Sequence, residues 1–225
     1  MLNYWETLAI SGLTRAELLQ VVRLHGHEHL DAARSNGRGA ILVGAHLGSL
    51  ALAAQVVPAH GYPVVGLLEP VQPPELFDLL ARQRGAFGMR LLPIGPAALR
   101  ELVTALRRNE IVALVVDRDV TGSGPILEFF GAPTHVADGA AALSVRTGAP
   151  ILPGVGIRRA DGTFDAVIEA ALPKPTAGDP KRDVLELTRA VIQRLEYHIR
   201  SRPLEWTVFQ KRWPALDKAP ASGVE

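Results

Sequence analysis

Residues 40–54, AILVGAHLGSLALAA, decide how the rest of the chain is read. The first half is a continuous apolar run, the pattern of a strand buried on both faces. The second half is apolar on nearly every face and is expected to be helical over 48–57. A single polar ring, His46, stands at the join. In a parallel α/β sheet that join is the carboxyl end of a strand, where such folds gather their ligands.

Similar runs recur on either side. Strands are expected at 63–68 (PVVGLL), 89–93 (MRLLP), 111–116 (IVALVV), 151–157 (ILPGVGI) and 164–169 (FDAVIE). Amphipathic segments between them predict helices at 14–26, 74–86, 96–108, 137–147 and 180–200. Thr14 and Glu17 have capping-box spacing. Pro74 and Pro96 suit a first helical turn, and Asp179 suits an N-cap. The alternation predicts an α/β fold: a single domain with a central, mostly parallel sheet flanked by helices. Asp161-Gly162 signals a hairpin, so the last two strands should be antiparallel. The tail at 215–225, ALDKAPASGVE, has the composition of a disordered segment.

Composition narrows the function. The 225 residues carry a formal net charge of +1, which gives no reason to expect nucleic-acid binding. With no cysteine, thiol nucleophiles and disulfides are excluded. No apolar run reaches the roughly eighteen residues of a spanning helix. The start, MLNYWETLAISG, lacks a basic region and a cleavage site. A cytoplasmic protein able to touch a membrane surface is the expectation.

Two loops at expected strand ends concentrate reactive groups: GAHLGS around His46, and DRDVTGSG at 117–124. Asp117 or Asp119 could face His46, and Arg118 could meet an anion; a polar surface loop and a packed core histidine remain the alternatives. HGHEH at 25–29 would place His25 and His29 on one helix face, yet no second ligand cluster accompanies them, so a solvated helix end is preferred to a metal site. RQRGAFGMR at 82–90 reads as a helix end with cations facing the dipole, or as a phosphate clamp. His60 and His198 read as loop and surface residues, and WTVFQKRWP at 206–214 as a closing element packed on the sheet. No G-x-S-x-G elbow supports an esterase.

The ordered segments ILVGAHLGSLALA, GLLEPVQPPELFDLLARQRGAFGMRLLP and VALVVDRDVTGSGPILEFFGAPTHVADGAAALSVRTGAPILP, with EYHIRSRPLEWTVFQKRWP near the end, resemble the lysophospholipid acyltransferase superfamily. The narrower likeness is to the lipid A biosynthesis and phosphatidylinositol mannoside acyltransferase branch, over residues 3–214. It implies a glycerol-3-phosphate acyltransferase-like fold and an acyltransferase domain at 1–214. It also implies a membrane-associated N-terminal segment, which is expected to end about where this sequence begins. The implied reaction is O-acyl transfer from acyl-CoA or acyl carrier protein to a hydroxyl of a lipid or glycolipid acceptor. No metal and no organic cofactor is implied. The implied place is the cytoplasmic side, peripheral at the inner face of the cell membrane.

The family motif is His, four residues, then Asp or Glu. His46 fits as the general base, but Ala51 stands where the acid belongs. Three readings of Ala51 stay open: a substituted position in a catalytic variant, replacement of the acid by Asp117 or Glu69, or a non-catalytic lipid or acyl-carrier binder. Impaired turnover is the expectation. The likeness also implies substrate contacts at Arg84, Arg118, Asp119, Phe129 and Phe130, an oxyanion hole from the Leu47 and Gly48 amides, and an apolar acyl channel starting near His46.

Overall fold

The computed structural model describes residues 12–210 and Trp213. Seven helices and nine strands are described. They are α1 (Arg15–Val21), β1 (Val22–His25), α2 (His27–Arg34), β2 (Ala40–Gly44), α3 (Leu50–Ala59), β3 (Val64–Leu68), α4 (Pro74–Arg84), β4 (Arg90–Pro93), α5 (Pro96–Arg107), β5 (Ile111–Val115), β6 (Ile126–Phe129), β7 (Ala132–His135), α6 (Gly139–Thr147), β8 (Ile151–Arg158), β9 (Phe164–Ile168) and α7 (Pro180–Ser201). Seven strands form one sheet in the order β1-β9-β8-β2-β5-β3-β4. Every neighbouring pair in it is parallel except β8–β9.

Two apolar layers bury the sheet. One, containing Ile41, Val43, Leu114, Val155 and Leu195, packs under α5, α6 and α7. The other, containing Leu18, Leu52, Val56, Leu152 and Phe164, packs under α1, α2 and α3. This is why β2 and β5 read as unbroken apolar runs: each has helices on both faces.

The capping box closes at Thr14 and Glu17, Pro74 and Pro96 fall in first turns, and the Asp179 carboxylate accepts from the Lys181 and Arg182 amides. Two corrections follow, one at the edge of this sheet and one in a separate two-stranded sheet. The helix expected over 14–26 stops at Val21, and Val22–His25 pairs in parallel with β9 instead. VRLH alternates well enough to serve as an edge strand once β9 offers a ladder. His25 is therefore on a strand and not on a helix face with His29; its Nε2 lies 2.9 Å from Asp165 Oδ1. Among the described residues no group of metal-ligating side chains assembles. The second is the β6–β7 hairpin inside the segment 126–135, turned by Phe130 (φ 55°) and Gly131 (φ 78°). A bulky residue at positive φ is uncommon, so no turn signal marked it. The tail at 215–225 lies outside the described residues.

Candidate active site

Strand register builds the site. β2 and β5 are adjacent, and their ladder pairs Gly44 with Val115. Two residues beyond that rung, His46 meets Asp117. The His46 amide donates to Asp117 Oδ2 at 2.9 Å, and Nδ1 of the ring lies 2.8 Å from Oδ1. The Asp117 side chain is fully withdrawn from solvent, while the His46 side chain is 35% exposed. Burial pushes the Asp117 carboxyl up, but the bonds and positive charge of His46 and the Trp206 indole N–H outweigh it and hold the carboxyl below its ordinary range. A carboxylate at Nδ1 fixes that nitrogen as the proton carrier and leaves Nε2 as the basic one.

Gly48 lets the chain turn from strand to helix here. Its φ is 59°, and a Cβ on it would sit 2.3 Å from the Gly156 carbonyl oxygen on β8. Only glycine fits both the backbone and the close approach.

The last described segment clasps this loop. Leu47 forms a bridge with Trp206. The Gly48 amide donates to the Glu205 carbonyl at 3.1 Å, and the Thr207 amide to the His46 carbonyl at 2.8 Å. Trp206 Nε1 donates to Asp117 Oδ2 at 2.8 Å. The closing element expected at 206–214 thus packs on the site itself; Lys211 and Arg212 lie outside the described residues. Reading that segment as packing missed Trp206. The available signal is chemical: an indole N–H taken out of water needs an acceptor.

The remaining candidates fall into place unevenly. Glu69, after β3, is ion-paired with Arg118, after β5, and is not bonded to His46. Arg118 therefore stands at the same edge with a carboxylate beside it. Asp119 folds its own loop, accepting from the Thr121 and Gly124 amides at 2.9 and 2.7 Å; these bonds overcome burial and lower its carboxyl. Phe129 is 1% exposed and packs as core. Phe130 lies 4.7 Å from it, ring centre to ring centre, and 5.8 Å from Trp206. The Arg84 carbonyl accepts from the buried Gln55 side chain, which also takes the Phe87 amide at 3.4 Å and so pins the RGAF turn.

Four expectations change. Ala51 packs, partly buried, against the core layer of α1 and β1, and a carboxylate from the end of β5 lies on His46 Nδ1, so the missing acid no longer argues for impaired turnover. The Leu47 amide donates to Ala45 O at 2.7 Å and the Gly48 amide to Glu205 O, so neither is open to an oxyanion. Two cavities among the described residues, about 340 Å³ beside Arg38, Arg107 and Arg146 and about 440 Å³ beside Asp78, Arg82 and Met89, are not lined by His46. His198 is 8% exposed rather than superficial, with Nε2 3.1 Å from Glu169 Oε1.

A histidine paired with a buried carboxylate at the carboxyl edge of a largely parallel sheet places this chain among α/β proteins whose candidate site lies at the strand ends. Comparison with known proteins gives that class a family. Residues 3–215 match the family described as bacterial lipid A biosynthesis acyltransferase, and the chain belongs to it. The phosphatidylinositol mannoside acyltransferase of Mycobacterium tuberculosis (strain CDC 1551 / Oshkosh) is 32% identical over 194 residues, covering 84% of this chain and 59% of that protein. The protein of the same name from Mycolicibacterium smegmatis (strain ATCC 700084 / mc(2)155) is 27% identical over 217 residues, covering 95% of this chain and 69% of that protein. The chain thus spans 59% of the length of the first relative. No helix of the described residues is long and apolar enough to cross a membrane.

Proposed function

We propose that this chain transfers a long acyl group from the thioester of acyl-CoA or acyl carrier protein to a hydroxyl of a lipid acceptor. The names of its relatives suggest a phosphatidylinositol mannoside as that acceptor. The observation that carries the proposal is the 2.8 Å contact between His46 Nδ1 and the buried Asp117. His46 Nε2 takes the acceptor hydroxyl proton as the oxygen attacks the thioester carbonyl. The tetrahedral intermediate then expels the thiolate, which receives that proton from the imidazolium. Asp117 stays ionised throughout and stabilises the cationic ring. No covalent enzyme intermediate and no metal is required. The non-catalytic lipid-binder reading drew on a missing acid, and the Asp117 geometry removes that ground.

Glu69 and Arg118, ion-paired at the same edge, would contact the acceptor head group. Peripheral contact with the inner face of the membrane would deliver the acceptor. Thiol release from a long-chain acyl-CoA, with purified phosphatidylinositol mannoside as acceptor, tests the proposal. His46→Ala should lower the rate by roughly 10²–10⁴-fold. A rate near that of the unaltered chain would remove the general-base assignment.

A further inference from the structure

We infer that Trp206 is a positioning residue of the dyad, locking the Asp117 carboxylate through its indole N–H; the inference rests on the acyl-transfer reading only for its kinetic consequence. An ionised carboxylate has two oxygens and can rotate between partners. Here each oxygen is assigned. Oδ1 faces His46 Nδ1, while Oδ2 takes the His46 amide at 2.9 Å and Trp206 Nε1 at 2.8 Å. Two donors on one oxygen and one on the other leave a single orientation that satisfies all three.

The indole is itself held on two sides. Its backbone is stitched to the catalytic loop by the bridge to Leu47 and the bonds from Gly48 to Glu205 and from Thr207 to His46. Its ring packs among Phe129, Phe130 and Trp213, with ring centres 5.9, 5.8 and 6.3 Å away. A packed ring with a fixed backbone is a rigid donor. A rigid donor orients a base better than a mobile one. The segment after α7 therefore completes the site rather than covering it.

The charged groups around the carboxylate leave His46 as its titrating partner. Arg118, next in sequence, is paired with Glu69, and Asp119 is turned to Thr121 and Gly124. Glu205 precedes the indole; its carbonyl takes the Gly48 amide, and its carboxylate Oε2 is buried beside Gly48, with no hydrogen bond to Asp117. Removing a donor from the carboxylate strengthens the hold of the dyad on a proton, whichever member carries it.

The test uses Trp206→Phe, which keeps an aromatic ring and deletes the N–H. Trp213→Phe is the matched comparison, because its indole donates to the Phe129 carbonyl at 3.0 Å within the same cluster. NMR in the absence of substrate would follow the pH at which the His46 ring takes up a proton. That pH should rise in Trp206→Phe and stay in place in Trp213→Phe. In acyl transfer, kcat should fall while KM for the acyl donor changes little, and the acid limb of the rate profile should move the same way. An unmoved titration in folded Trp206→Phe overturns the inference. Should that variant fail to fold, the indole N–H resonance of Trp206 in the unaltered chain decides: it should shift as His46 titrates, and insensitivity overturns the inference. Absence of acyl transfer by the unaltered chain would sink the acyl-transfer reading alone, and activity surviving in His46→Ala the general-base assignment alone, since the NMR titration needs no turnover.

Discussion

Asp117 reaches His46 across 71 residues of sequence, and it does so because β5 lies directly beside β2 in the sheet. The carboxylate arrives from the neighbouring strand, not from one helical turn further along the same chain. A buried acid held this way is costly unless fully bonded, and all of its bonds come from the clasped loop and Trp206.

Replacing that carboxylate should therefore be severe. Asp117→Asn keeps the shape but cannot fix the Nδ1 proton by charge. It should lower kcat by roughly 10²–10⁴-fold with KM for the acyl donor nearly unchanged. Steady-state kinetics on folded protein checks this. A loss under about tenfold would mean that another group orients His46.

Ala51→Glu, which restores the spacing of the family motif, should not accelerate the reaction. Position 51 packs against an apolar layer, and His46 Nδ1 already has its carboxylate. The expected outcome is an unchanged or reduced rate and a lower melting temperature, since an added charge has no partner there. A rise of tenfold or more would return the orienting role to position 51.

Acid stability should fall in two steps. Burial lowers the His198 pKa, partly opposed by Glu169. Its folded value therefore lies below its unfolded one, and stability present above about pH 6.5 declines as pH falls through the folded value. The Asp117 and Glu169 carboxyls are also lowered, burial being outweighed by their bonds to His46 and Arg194. Their contribution is present above about pH 4 and is lost below it. Thermal melts from pH 7 to 3 should show both declines. His198→Leu should flatten the upper one, and a persistent upper step would assign it elsewhere.

Gly48→Ala should damage stability and activity together. Its Cβ would meet the Gly156 carbonyl at 2.3 Å on a backbone at φ 59°. Relief requires the loop to move, and the loop carries His46. A loss of about 2–4 kcal/mol in stability is expected. Denaturant melts and thiol-release kinetics measure both effects. A neutral substitution would show that the loop tolerates displacement.

Much of this was legible in the sequence because burial on both faces writes itself as unbroken apolar runs. The runs at 40–45 and 111–116 became adjacent central strands, and the strand-end rule placed His46 and Asp117 at one edge. Asp117, Asp119 and Glu69 were all open as the carboxylate partner of His46; the choice among them was not legible, because strand order is set by how crossovers pack and not by any local pattern. β1 was hidden for a similar reason. Val22–His25 continues a helical-looking run, and only the edge of β9 offers it a ladder. Trp206 escaped because an aromatic in a closing segment reads as packing until its N–H is seen on a carboxylate.

The final prediction concerns membrane contact. The clasp at 205–207 is flanked by Leu204, 99% exposed, and Phe209, 74% exposed. Arg200 and Arg202 lie at the neighbouring end of α7. Apolar tips beside cations suit the boundary of an anionic bilayer, where each contributes modestly. Binding of this chain to vesicles containing an anionic phospholipid should be weak and should fall as salt rises from 50 to 500 mM, as screening predicts. Leu204→Ser with Phe209→Ser should lower flotation several-fold while leaving the melting temperature within a few degrees, because exposed side chains carry little folding energy. Flotation that is tight, indifferent to salt and unaffected by the double substitution would place the membrane-facing surface elsewhere on the molecule.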